Sequence, residues 1–134
     1  YGKNSSKNNG LKRIIFTAIK EKKLEYSGSK RAQRRYLHIN DAILACIQTI
    51  EKKYDNKNIL ITGKKITKVK KILKIVSNKL KLNKKIVFKN KKGLGHYDSN
   101  PYTYVSKKEE KFNFKTLTNI ENGIDELIDH LKKK

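Results

Sequence analysis

One short run of the sequence has residue types suited to binding an anion. Four basic side chains, Lys30, Arg31, Arg34 and Arg35, fall between positions 30 and 35. A guanidinium group presents its N–H donors in a planar fork that can hold two phosphate oxygens at once, which a lysine ammonium group cannot do. A run of this kind can bind phosphate or form a solvated basic surface.

A second candidate is a polar, glycine-containing stretch over residues 89–106. Its glycines would let the backbone approach a ligand closely, and side chains such as Lys91 and His96 can neutralise phosphate. Tyr97 and further tyrosines stand beside them. Because binding residues concentrate on loops of this kind, we predict a functional loop here.

Three other reactive side chains are assigned structural roles. Cys46 lies among apolar residues of a predicted helix, so we expect a small buried filler rather than a nucleophile. His38 is interpreted as a structural residue hydrogen-bonded beside Asp41, and Asp41 as a residue at the start of a helix. The histidines and carboxylates lack metal-ligand spacing, so no metal site is predicted. No catalytic residue is predicted either.

Four amphipathic helices are predicted to carry the fold. Apolar residues recur every three or four positions in each, which is the helical period. The first helix is predicted over about residues 11–23, and the apolar stripes of the other three run over residues 42–50, 69–80 and 120–131. Cap residues stand in front of them: Asn8 and Asn9, then Asn40 and Asp41, then Thr67, and finally a capping box from Thr118 to Glu121.

Short β-prone segments alternate with these helices. Residues 35–39 alternate so that Tyr36 and His38 share one face, while residues 58–62 and 86–88 are short apolar runs. Helices alternating with short strands predict an α/β fold. With no internal repeat or long linker, residues 1–134 are predicted to form one segment.

The net charge of +22 is weak support for a polyanionic partner. Of the 34 Lys and Arg residues all but four are lysines, and the chain also has 13 Asn and 16 Ile. These three residue types rise together when codons are rich in A and T, so compositional bias accounts for much of the charge. A nucleic-acid-binding module nevertheless stays as the alternative function, because tyrosines between lysines in residues 89–108 offer stacking platforms.

Composition also indicates the compartment. No apolar run approaches the roughly 18 residues that span a bilayer, the longest being residues 42–47. A single cysteine excludes an internal disulfide and a cysteine-based zinc site. We therefore expect a soluble protein of the reducing cytoplasm, in which the 36% of apolar residues form a modest core.

Residues 34–41 read Arg-Arg-Tyr-Leu-His-Ile-Asn-Asp. They resemble the Arg-Asp-Tyr-Ile-His-Val-x-Asp segment of extended short-chain dehydrogenases, the NAD-dependent nucleotide-sugar epimerases and dehydratases. The order of the following elements is also similar: a strand with a glycine turn, a capped helix, a short strand, a loop and a final amphipathic helix. Tyr1 and Gly2 resemble a Tyr-Gly pair that follows the catalytic region of that family. The resemblance covers nearly the whole chain and implies the C-terminal, substrate-binding part of such an enzyme.

The sequence lacks what the resemblance places in the N-terminal half. There is no Gly-x-x-Gly-x-x-Gly turn for a dinucleotide, and the one literal Tyr-x-x-x-Lys match, Tyr104 with Lys108, stands out of order. NAD(P) is therefore expected in an N-terminal half of the same enzyme, and this segment alone is expected to be inactive. The start at Tyr1 and the absence of methionine fit a fragment, a split gene product or a decayed gene.

The resemblance also implies roles for individual residues. Arg34 is similar to the arginine that reaches the substrate diphosphate, and Tyr36 belongs to the same substrate-binding segment. Lys91, His96 and Tyr97 fall where the family places a loop that closes over the nucleotide sugar, although the arginine, proline and aspartate of that loop are absent. Arg35 stands at the position where that family usually has an acidic residue. The resemblance also makes a dimer possible, because members of that family often dimerise.

Overall fold

The computed structural model describes residues 1–83, 85–89 and 109–133. Its four helices and short strands confirm the α/β fold and the helix order expected from the sequence. The helices are α1 (Gly10–Glu21), α2 (Ile39–Gln48), α3 (Val69–Lys79) and α4 (Ile120–Lys132), with a 3-10 turn at Lys52–Tyr54. The strands are β1 (Glu25–Tyr26), β2 (Gln33–Arg35), β3 (Asn58–Leu60), β4 (Ile66–Lys68), β5 (Val87–Phe88) and β6 (Glu109–Lys111).

The described strands pair two by two. β1 lies parallel to β5 and β3 lies parallel to β6, whereas β2 and β4 are antiparallel with Arg34 opposite Thr67. Parallel partners must be far apart in sequence, because a crossover has to join them. These pairings therefore bring together segments that are distant in the sequence and separated by helices.

The main core lies between α1, α3 and α4. Each of these helices turns an apolar stripe inward, and full burial of such side chains stabilises the fold by about 1.5–3 kcal/mol each. The largest of the fully buried side chains are Ile15, Leu24, Ile72, Leu73, Val76, Ile124 and Leu127. A smaller cluster joins Ala45 of α2 to Phe112 and Phe114, whose ring centroids lie 4.8 Å apart.

The caps agree with the sequence at α1 and differ at the other helices. Asn9 caps α1 and accepts a hydrogen bond from the backbone N–H of Lys12 at 3.1 Å. Thr67 does not cap α3, because it lies within β4 and pairs with β2. The N-cap of α4 is Asn119 instead of Thr118, since the Thr118 side chain is engaged elsewhere.

Helix α2 differs most from the sequence interpretation. It begins at Ile39 behind His38 as N-cap, so the strand predicted over residues 35–39 ends at Arg35. The apolar stripe of residues 42–50 implied a buried helix face, but its large apolar side chains are exposed, and Cys46 is exposed rather than a buried filler. The reason is that the helix contacts the body through its small residue Ala45, which turns the larger side chains outward.

Within the described residues, no helix combines the length and apolarity needed to cross a membrane.

Candidate functional site

A cavity of about 460 Å³ opens beside the basic run that the sequence singled out. We call it the arginine–tyrosine cavity, after Arg34, Tyr1, Tyr26 and Tyr36 in its wall. Much of the remaining wall is apolar, from Leu11 and Ile14 of α1, Val69, Ile72 and Leu73 of α3, and Leu37, Leu60 and Ile61. An apolar wall with a few convergent polar groups is the usual composition of a small-molecule site.

Arg34 is held in this wall by the β2–β4 pair. It lies in the middle of β2 opposite Thr67, and its Nη1 donates to the carbonyl oxygen of Gln33 at 2.6 Å. Its side chain is only partly exposed. The structure thus places the sequence-predicted arginine at a cavity large enough for a nucleotide-sized ligand.

Arg35 also lines this cavity, but its guanidinium is bonded to the backbone. Its Nη1 donates to the carbonyl oxygens of Gly63 at 3.1 Å and Lys64 at 2.7 Å. These bonds tie β2 to the turn between β3 and β4. The basic residue that replaces the usual acidic one is therefore a clamp on this turn.

Tyr36 and Tyr1 form an aromatic corner of the cavity. Their rings meet edge to face, with centroids 6.3 Å apart. Burial raises the pKa of the Tyr36 phenol above its ordinary value, and the nearby Tyr26 adds to this while Arg34 opposes it. Burial, followed by the charges of Asp41 and Glu126, raises the pKa of the Tyr1 phenol to about 12. Both phenols therefore keep their protons at neutral pH and are hydrogen-bond donors.

Tyr1 and Tyr26 line the cavity although the sequence did not mark them as site residues. Tyr26 lies in β1, and the apolar–polar–apolar alternation of Leu24, Glu25 and Tyr26 is the short signal that could have indicated this strand. Tyr1 packs against α4, where a side chain at Gly123 would approach its hydroxyl to 2.7 Å. Its distance from the rest of the site in sequence left no local signal.

His38 is structural, as predicted, but through other partners. It is 2% exposed, its Nδ1 accepts from the backbone N–H of Asn40 at 3.4 Å, and its Nε2 lies 3.4 Å from Glu126 Oε2. Asp41 instead binds Thr118, 77 positions along the chain. His38 therefore joins the start of α2 to α4.

The remaining predicted site residues, Lys91, His96 and Tyr97, lie outside the described residues. Within the part that is described, no group of three or more His, Cys, Asp or Glu side chains could hold a metal ion.

No protein-family model matches the chain, and no curated protein matches it. Solved structures do. The UDP-glucuronic acid 4-epimerase from Bacillus cereus, in complex with NAD, matches 99% of this chain with a TM-score of 0.71 and 16% identity, over 42% of its own length. The NAD-dependent NDP-hexosamine 5,6-dehydratase TunA matches 100% of this chain with a TM-score of 0.75 and 11% identity, over 43% of its length.

The UDP-glucose 4-epimerase from Thermotoga maritima, solved with UDP-glucose, gives a similar result. It matches 99% of this chain with a TM-score of 0.74 and 15% identity, over 43% of its own length. Agreement over nearly the whole chain at such low identity is agreement of fold. The chain therefore has the fold of a segment of NAD-dependent nucleotide-sugar epimerases and dehydratases, and it spans less than half of the length of these solved structures.

Proposed function

We propose that this chain is the substrate-binding part of a NAD-dependent nucleotide-sugar epimerase or dehydratase. The observation that carries the proposal is the position of Arg34 in the wall of the arginine–tyrosine cavity, within a fold shared with such enzymes. NAD(P) would bind to the other half of the enzyme, which supplies hydride-transfer chemistry. This chain would hold the nucleoside diphosphate and orient the sugar, and alone it would be inactive.

The chemistry of the cavity suits a nucleoside diphosphate. A guanidinium group can bind two diphosphate oxygens, and the un-ionised phenol of Tyr36 can donate a further hydrogen bond. The apolar wall from α1 and α3 offers a surface for the flat base. We propose that Lys91, His96 and Tyr97 add contacts to the phosphates or the sugar from the loop in which they lie.

Replacement of Arg34 tests this function. In the enzyme completed by its NAD-binding half, Arg34→Ala should raise the KM for the nucleotide sugar about 30-fold, because a charge-assisted hydrogen bond to phosphate is lost. Arg34→Lys should recover only part of the loss, since lysine keeps the charge and loses the fork. The KM is obtained from initial rates with UDP-glucose and with the two UDP-sugars whose chemical structures are most similar to it.

Arg31→Ala is the matched control, because Arg31 belongs to the same basic run but is exposed and lies outside the cavity wall. It should leave KM within about 2-fold of the wild-type value. Direct binding can be followed on the chain alone, where UDP should shift the NMR signals of Arg34 and Tyr36. If Arg34→Ala leaves both the KM and these shifts unchanged, the diphosphate role is wrong.

A second candidate function, nucleic-acid binding, is favoured by one observation. A separate cavity of about 530 Å³ is lined by Lys30, Lys70, Lys74 and Lys85 together with Phe88, and acidic residues are absent from its described lining. The Lys30 ammonium lies 5.9 Å from the centroid of the Phe88 ring. Closely spaced lysines beside an aromatic ring can bind phosphates while a base stacks.

A salt titration with a single-stranded oligonucleotide tests the second function. In Lys70→Gln/Lys74→Gln the slope of log affinity against log salt should become shallower by about 1.4, since two phosphate contacts are lost and each contributes about 0.7 on a single strand. The pair Lys71→Gln/Lys133→Gln removes the same charge from exposed positions outside this cavity and should leave the slope nearly unchanged. Equal effects of the two pairs would show that binding depends on diffuse charge, which contradicts a defined site.

A further inference from the structure

Helix α2 presents to solvent a face that is composed like a protein interior. Four large apolar side chains on it are exposed: Ile43 by 48%, Leu44 by 58%, Ile47 by 59% and, just past its end, Ile50 by 80%. At 3.6 residues per turn these four positions form one continuous stripe. We call this set the α2 stripe.

Charge distinguishes the α2 stripe from the other helix surfaces. Residues 42–50 contain no charged side chain, although 34% of the whole chain is charged. The exposed positions of α3, by contrast, include Lys70, Lys71 and Lys74. Soluble monomers keep exposed apolar patches small, and a larger one marks an interaction surface.

The stripe is held in a defined orientation. On the opposite side of α2, Ala45 is buried against the cluster of Phe112 and Phe114, and Asp41 accepts two hydrogen bonds from Thr118, each 2.9 Å long. A rigid apolar face can bind a partner without an ordering cost, which favours affinity.

We propose that the α2 stripe is the docking surface for the NAD-binding half of the enzyme. This inference rests on the proposed function. The chain accounts for 42–43% of the length of the solved structures it matches, so more than half of such a fold is available to cover the stripe. An apolar, uncharged face matches a permanent contact between two parts of one enzyme better than a transient contact, because permanent interfaces are the more hydrophobic ones.

The test uses the NAD-binding half of the same enzyme, produced as a separate polypeptide and loaded with NAD. Calorimetry measures its affinity for this chain. Ile43→Lys/Ile47→Lys should raise the Kd at least about 100-fold, because two charges would be buried in an apolar interface. Both positions are solvent-exposed, so the variant should keep the wild-type circular dichroism spectrum. Leu44→Ser is a milder second variant that should weaken binding about 10-fold.

Phe16→Lys is the control. Phe16 is 45% exposed and lies on α1, away from the α2 stripe, so its replacement should leave the Kd within about 2-fold. Unchanged affinity in the α2 variants, no affinity of the wild-type chain for the NAD-binding half, or a homodimer of the chain that the α2 variants dissociate would each overturn the inference. If the wild-type chain does not bind UDP but still docks through α2, only the proposed substrate site would be overturned.

Discussion

Gly63→Ala should destabilise the chain by about 3 kcal/mol or more. A Cβ atom at this position would lie 2.1 Å from the carbonyl oxygen of Tyr36, 2.8 Å from its carbonyl carbon and 3.2 Å from its nitrogen. All three atoms belong to the backbone, so no side-chain rotation can relieve the overlap. The two segments would have to separate, and a forced shift of this kind in packed structure is strongly destabilising.

The separation would also affect the site. The carbonyl group of Gly63 accepts the hydrogen bond from Arg35, while Tyr36 lines the arginine–tyrosine cavity. Moving the two segments apart would therefore loosen the Arg35 clamp and the cavity wall together. We expect UDP binding to weaken in parallel with stability.

Urea unfolding followed by circular dichroism measures the effect, with Gly10→Ala as the control. Gly10 is the first residue of α1, and a Cβ atom there would have no neighbouring atom within 4 Å. Because alanine favours helix more than glycine, Gly10→Ala should be neutral or stabilise by up to about 1 kcal/mol. A Gly63→Ala protein as stable as Gly10→Ala would contradict the close approach at Tyr36.

The helices were predictable because their signal is local. In α1, α3 and α4 the apolar period of 3.6 residues coincides with the buried face, and Asn9 provides the expected cap. The exact ends of the helices were less predictable, because backbone conformation decides them and the residue type need not indicate it. α1, for example, ends at Glu21 because Lys22 takes a left-handed conformation with φ of 52°.

The strands and the orientation of α2 were less accessible to sequence reasoning. Strands of two or three residues carry little alternation, and β1, β4 and β6 depend on partners distant in sequence. For α2, the rule that apolar residues face inward predicted that its apolar face is buried. A local sequence pattern, however, does not indicate which other part of the protein packs against that face.

The candidate site was predictable where chemistry and spacing occur together. Arg34 and Tyr36 come from one short run, and the structure brings them to the same cavity. Tyr1 and Tyr26 reach that cavity only through packing of the helices, so composition alone could not assign them. The buried His38 shows the same limit, because its partner Glu126 lies on α4.

Asp41→Ala should lower the free energy of unfolding by about 3 kcal/mol. The Asp41 carboxylate accepts from both the backbone N–H and the hydroxyl of Thr118, each at 2.9 Å. Hydrogen bonds to a charged group are worth about 1.5–3 kcal/mol each, and removal of the carboxylate leaves a partly buried N–H without its partner. The loss should also free α2, which this bond joins to the start of α4.

A double-mutant cycle with Thr118→Val separates the bond from general damage. Thr118→Val removes the hydroxyl and keeps the backbone N–H, so it should cost about 1 kcal/mol in the wild type and nearly nothing once Asp41 is alanine. Asp129→Ala, an exposed carboxylate on α4, should change stability by less than about 0.5 kcal/mol. Additive effects of Asp41→Ala and Thr118→Val would contradict the bond. Coupled effects, together with weaker binding of the NAD-binding half to Asp41→Ala, would mean that this one carboxylate sets the position in which α2 meets its partner.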